Sequence, residues 1–229
     1  MNRDNIFDRP AAWMQAAMLA QVVSLDDPDR RNRVQVRLLS HDYSETHDAP
    51  MWARVVSSFA GNDRGAFFMP EVDDEVLVVF VQGDMRHPLI VGGLWNGASA
   101  SPADIQSGGD NRYKRIKSKN GIVITMDEQQ GQETLTLETP GGQTVTLKDG
   151  PGEITVEDSN GNSVKLEAAG ITVQASAKVK VQASQVEVTA GMVKVDAALS
   201  KFSGMIKCDV LQTNSVISTS YTPGAGNIW

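Results

Sequence analysis

Residues 133–195 read ETLTLETPGGQTVTLKDGPGEITVEDSNGNSVKLEAAGITVQASAKVKVQASQVEVTAGMVKV, and this stretch decides the fold. Apolar residues recur in i, i+2 pairs: Leu135/Leu137, Val145/Leu147, Ile154/Val156, Val164/Leu166, Ile171/Val173, Val179/Val181, Val186/Val188 and Val193/Val195, with Ile122/Ile124 ahead of them. In a strand such a pair lies on one face and the residue between lies on the other. The intervening residues are Thr136, Thr146, Thr155, Lys165, Thr172, Lys180, Glu187 and Lys194. Each short strand therefore has a dry face and a wet face, and no helix interrupts the run from 116 to 210.

The spacing of the pairs carries as much as the pairs. Successive pairs begin ten, nine and ten residues apart from Leu135 to Val164, then seven, eight, seven and seven apart to Val193. A short, nearly fixed period of strand plus turn marks a repeat architecture. Pro140-Gly141-Gly142, Asp149-Gly150-Pro151-Gly152, Ser159-Asn160-Gly161-Asn162 and Ala169-Gly170 supply the tight turns. Beyond Gly170 the turns are Ala-Ser, Ala-Gly and Ala-Ala, small residues suited to a narrow rod.

One such chain cannot cover its own dry face. Each strand offers two apolar side chains, and Phe202 and Tyr221 are the aromatics between 116 and 228. Three identical chains wound about one axis would supply the cover, with every strand paired to a neighbouring chain and no lateral edge left open. The axial core in that arrangement is Ile154, Val156, Val164, Leu166, Ile171, Val173, Val179, Val181, Val186, Val188, Val193 and Val195. A single-chain β-solenoid or meander is the alternative, because the pattern alone does not fix topology.

Composition divides the chain. All arginines lie at or before Arg115, and all lysines except Lys114 lie after it; the three histidines end at His87. Trp13, Trp52 and Trp95 fall in the first part, and the fourth tryptophan is Trp229. The expected organisation is an N-terminal segment (1–17), a barrel domain (18–97), a linker (98–115), a β-helix (116–210) and a C-terminal tip (211–229). The net charge of -7 argues against a nucleic-acid or anionic-membrane surface built on charge. Cys208 is the single cysteine, so no internal disulfide framework exists. Met1 to Asp8 are polar and charged with no apolar run behind a basic start, and no stretch approaches the ~20 apolar residues of a membrane helix. Assembly in a bacterial cytoplasm is the expectation.

In the first domain, Met18–Leu25 (or a short helix opening at Pro10), Arg33–Leu39, Met51–Phe59, the run beginning at Glu71, and Leu89–Trp95 read as five strands, with 61–70 as a loop. That count fits an OB-type barrel. Arg30, Arg31 and Arg33 stand beside Asp26, Asp27 and Asp29, which reads as a solvated hairpin tip. His41, Asp42, Glu45, His47 and Asp48 lie in a polar loop without metal-ligand spacing, and Ser40-His41-Asp42 are adjacent and cannot form a triad by adjacency. Gly92 and Gly93 read as turn or close-packing glycines. No catalytic, cofactor or metal site is expected.

Two motifs resemble a known family. The first is Met69-Pro-Glu-Val-Asp-Asp-Glu-Val-Leu-Val-Val-Phe80, with Gly83-Asp84 and His87-Pro-Leu-Ile-Val-Gly-Gly-Leu-Trp-Asn-Gly97. The second is Arg115-Ile-Lys-Ser-Lys-Asn-Gly-Ile-Val-Ile-Thr-Met-Asp127 with Glu133-Thr-Leu-Thr-Leu-Glu-Thr-Pro-Gly-Gly142. Both resemble the baseplate assembly protein V family, the central spikes of contractile-tailed phages, related to the VgrG spikes of type VI secretion. The resemblance implies an all-β homotrimer: an N-terminal OB barrel followed by an intertwined, triple-stranded β-helix. It implies a baseplate hub protein at the barrel, transient contact with a target cell envelope, and a place in a virion tail or contractile particle. Some members carry a lysozyme domain before the helix, for which 98–115 is too short; some bind iron through a His-x-His pair near the C-terminus, and no histidine follows His87. The tip would then close by apolar packing of Leu211, Val216, Ile217, Tyr221, Ile228 and Trp229, or under a separate PAAR-type protein. A β-helical polysaccharide-degrading or polysaccharide-binding protein and an OB-fold nucleic-acid binder are the alternatives. The first would want exposed aromatics with paired carboxylates; the second would want a basic barrel.

Overall fold

A computed structural model describes residues 17–39, 49–150 and 152–220. In chain order the strands are β1 (Met18–Ser24), β2 (Val34–Leu38), β3 (Met51–Val55), β4 (Ala60–Gly61), β5 (Arg64–Gly65), β6 (Glu75–Phe80) and β7 (Pro88–Leu94), followed by β8 (Tyr113–Lys117), β9 (Val123–Asp127), β10 (Thr134–Glu138), β11 (Thr144–Lys148), β12 (Glu153–Glu157), β13 (Ser163–Glu167) and β14 (Gly170–Gln174). The chain divides into a unit ending at Val179 and a second beginning at Lys180.

Strands β1, β2, β3, β7 and β6 close a barrel in that order. Neighbours are antiparallel except β3 and β7, whose parallel pairing shuts it. Strict alternation sends Ala20 and Val22, Val34, Val36 and Leu38, and Val76, Val78 and Phe80 inward; Ala53 and Ile90 complete the core. Small and β-branched side chains suit this tightly curved interior, where pleat and branching favour the same residues. Gly92 and Gly93 sit within β7, neither in a turn nor closely packed: a Cβ at Gly92 would meet nothing within 4 Å. They lie beside the irregularity between Leu77 and Val78, where β6 slips register against β7 and relieves barrel curvature. The expected loop at 61–70 contains the β4–β5 ladder, a two-residue hairpin too short to show alternation.

The β1–β2 turn is not simply solvated. Asp27 is buried, its side chain only 3 % exposed. Its carboxylate accepts the backbone N–H groups of Asp29 (3.1 Å), Arg31 (2.9 Å) and Arg33 (3.1 Å), and the Arg33 guanidinium through Nε (3.1 Å) and Nη2 (2.7 Å). Arg33 also lies over the Trp52 ring at 5.7 Å and bonds Asp29, while Arg30 and Arg31 stay in solvent. Arg30 and Asn32 take left-handed φ of 54°, which bends the backbone donors around the carboxylate. The second half of the expected hairpin tip is thus a folded knot, held by bonds that a list of charges does not reveal.

Strands β8 to β14 form one seven-stranded antiparallel meander in sequence order. This corrects the expectation that every strand pairs with a neighbouring chain: through Gln174 each strand pairs with its sequence neighbours. The spacings are the physical reason: nine or ten residues allow a five-residue strand plus a reversal, and the seven from Val164 to Ile171 still allow the two-residue turn at 168–169 between β13 and β14. The loops at 139–143 and 158–162 each place a glycine, Gly142 (φ 81°) and Gly161 (φ 82°), in the left-handed region. Among the described residues, none of 175–220 belongs to a strand paired within the chain.

The Arg33 guanidinium and the converging N–H groups hold the Asp27 carboxyl well below its ordinary value. Its contribution is therefore complete above pH ~3.8 and lost as pH falls through the lower folded value. Denaturant unfolding of the barrel should show stability dropping below about pH 4, and Asp27→Asn should flatten part of that slope. Within the barrel the remainder belongs to Asp84, which Arg86 holds at about 2; the similarly depressed Asp127, Glu153 and Asp158 give strands β8 to β14 a dependence of the same sign.

Candidate trimer interface

The register of the meander aligns its apolar residues into two rows. One runs Ile116, Ile124, Leu137, Val145, Val156, Val164, Val173, each directly opposite the next. The other runs Met126, Leu135, Leu147, Ile154, Leu166, Ile171. Directly opposed residues share a face, so the rows form a continuous aliphatic band, two side chains wide from β9 to β14 and one wide on β8, where Lys114 stands opposite Met126. Of the expected core positions, Ile154, Val156, Val164, Leu166, Ile171 and Val173 fall together on it. The i, i+2 signal extends the band back through Leu147/Val145, Leu137/Leu135 and Met126/Ile124; Ile116, with Lys114 and Ser118 two residues either side, joins it only through its register with Ile124.

The opposite face carries its own ladder: Arg115, Thr125, Thr136, Thr146, Thr155, Lys165 and Thr172. Charges lock it. Arg115 donates from Nε to Thr125 Oγ1 (3.1 Å) and from Nη1 to the Pro102 carbonyl (3.2 Å), tying the segment after the barrel to the sheet. Arg112 pairs with Asp127 and holds its carboxyl down; at the β8 end of the aliphatic face, Lys114 pairs with Glu128. Lys165 bridges Glu167 (2.9 Å) and Glu153 (3.1 Å), which raises its own affinity for a proton and depresses the Glu153 carboxyl. Glu71 meets Lys119 at 3.0 Å, joining the barrel to the β8–β9 turn.

The two faces are unequally covered, and in the unexpected sense. Thr125 is buried and Thr136, Thr146 and Thr155 are half-buried, whereas Leu147, Ile154, Val156 and Leu166 remain 37–45 % exposed. Exposed aliphatic bands of this kind are a mark of association surfaces. Further along, Val179, Val181, Val186, Val188, Val193 and Val195 are 59–72 % exposed and lie in no strand. Ordering a residue costs ~1–2 kcal/mol of backbone entropy. This segment has neither strand partner nor burial inside the chain. Val216 and Ile217 are also exposed. Tyr221, Ile228 and Trp229 of the expected tip, and the polar loop Ser40–Asp48, lie outside the described residues. Among the described residues no group of three or more His, Cys, Asp or Glu is placed to hold a metal.

A closed five-stranded barrel carrying a sheet with an open aliphatic face defines a class: an OB module fused to a self-associating β-domain. Comparison with known proteins gives both parts the same origin. Residues 18–95 match the type VI secretion system/phage-baseplate injector OB domain, and residues 134–199 match the phage baseplate V C-terminal trimerisation domain. The chain belongs to the phage baseplate V family. It is 26 % identical over 128 residues to the type VI secretion system spike protein VgrG1c of Pseudomonas aeruginosa, covering 52 % of this chain and 18 % of that one. Over 112 residues it is 30 % identical to VgrG4b of the same organism (47 % and 14 %), and over 139 residues 27 % identical to VgrG3 of Vibrio cholerae (56 % and 14 %). The matches thus span less than a fifth of these relatives' lengths.

The band makes a direct demand. Val156→Asp is expected to leave the chain monomeric by size-exclusion chromatography with light scattering, because it buries a carboxylate from each copy. Thr172→Asp, on the other face of the same sheet, is expected to leave association intact.

Proposed function

We propose that three copies of this chain form the central spike of a contractile injection device. The carrying observation is the two-row aliphatic band, open in one chain and lying largely within the trimerisation domain. Three such bands turned inward would make a dry prism, with the threonine and lysine ladders outward. The valine pairs from Val179 to Val195 would continue that axis as strands shared between chains, which is the structural role we give to all twelve core positions. Each Val or Leu taken from half-exposed to buried contributes on the order of 1 kcal/mol. Repeated along the rod and across three copies, this makes a shaft that resists axial load.

The role is mechanical. When the sheath contracts, the spike transmits axial force and breaches the target envelope; the chain performs no chemistry. The relatives bearing the name spike protein support this, as does the injector OB domain. The barrel would seat on a baseplate hub protein, and a PAAR-type protein would cover Val216, Ile217, Tyr221, Ile228 and Trp229 at the far end. The assembled location is the baseplate of a virion tail or related particle.

The test is complementation. Cells lacking this chain should yield no sheathed particles with complete baseplates in electron micrographs, and the wild-type chain should restore them. Val188→Asp would bring three carboxylates onto one axis and should fail to restore them. Restoration by Val188→Asp would remove Val188 from the core.

A further inference from the structure

The chain changes its mode of pairing after β14, and the sequence up to that point gives no apparent reason for it. A further hairpin is open on pattern: pairing Val173 with Val179 and Ile171 with Val181 would keep the aliphatic rows in line, across a five-residue loop at 174–178. The meander already uses three five-residue loops, at 118–122, 139–143 and 158–162. In each, the fourth loop residue is a glycine at left-handed φ, Gly121, Gly142 and Gly161, and the first residue's N–H donates to the fifth residue's carbonyl (2.9, 3.0 and 3.0 Å). At 174–178 the sequence is Gln-Ala-Ser-Ala-Lys, and the fourth residue is Ala177. A Cβ there opposes the left-handed conformation the other loops adopt.

A second feature acts on the same segment. Asp158 accepts the backbone N–H groups of Asn160 (2.8 Å) and Asn162 (2.9 Å) through Oδ1, and the Asn162 amide N–H through Oδ2 (2.8 Å). That last bond orients the Asn162 amide so that its Oδ1 faces the chain leaving β14. There it accepts the Ser176 N–H (2.9 Å) and the Ser176 hydroxyl (3.3 Å). The third residue of the would-be loop is thus fastened to the turn one hairpin earlier, and the segment runs past that turn instead of reversing.

We propose that Asp158, Asn162 and Ser176, with Ala177 in place of glycine, form the switch point at which the chain leaves its own sheet and passes to a second copy. Asn162 is a positioning residue: it selects between an eighth strand within the chain and exchange between chains. This rests on the trimeric reading above. It adds which residues set the crossover.

The test is a double variant, Asn162→Ala with Ala177→Gly, which releases the tether and supplies the turn glycine. After refolding from denaturant, light scattering should find wild type trimeric promptly and the double variant reaching the trimer several-fold more slowly, because the added strand must leave its own sheet before exchange. Amides of 178–182 should be protected from hydrogen exchange in the double variant's monomeric intermediate, as an added strand requires. A double variant that trimerises as fast and as fully as wild type overturns the proposal. If it precipitates, Ala177→Gly alone serves: slowed trimer formation by several-fold supports the switch, and an unchanged rate overturns it. A monomeric wild type would instead overturn the trimer itself, so the two failures are distinguishable.

Discussion

The structure depends on an imbalance of cover across one sheet. Seven short strands satisfy each other's backbone groups along their lengths, yet leave the aliphatic rows from Ile116 to Val173 open on one face. Hydrogen bonding within the chain cannot correct this, because a single layer has one partner surface too few. The barrel has no such deficit: its five strands curl on themselves and bury Val22, Val36, Val76, Val78 and Ile90 completely. One chain therefore contains a self-sufficient module and a module that is finished only by association.

The same constraint sharpens beyond Gln174. The valine pairs persist at shorter spacing, but no strand partner within the chain persists with them. Period alone does not set this, since β13 and β14 close a hairpin across 168–169 at seven-residue spacing; what differs after Gln174 is Ala177 where the five-residue loops have glycine, and the bonds from Ser176 to Asn162. Alternation encodes which face is dry on both sides of this point.

Much of this was legible in the sequence. The five barrel strands and their turns follow from alternation and turn residues, and the i, i+2 pairs located the dry face before any register was known. Pairing within the chain through Gln174 was less legible, because a strand of alternating Val and Thr looks the same whether its neighbour is its own chain or a copy. The Asp27–Arg33 knot was hidden for another reason: six residues apart, the two look like ordinary surface charges. Only the left-handed residues at Arg30 and Asn32 bring three N–H groups and a guanidinium onto one carboxylate. Asn162 and Ser176 are fourteen residues apart, and no local pattern links them.

The central claim is that this chain completes its fold with copies of itself, and the most direct measurement is its solution mass. Light scattering on the purified wild-type chain should give three times the 24.7 kDa chain mass, in a form that survives detergent until heated. A stable, monodisperse species at 24.7 kDa would contradict the account, since the aliphatic band and the segment beyond Gln174 would then have to be covered within one chain.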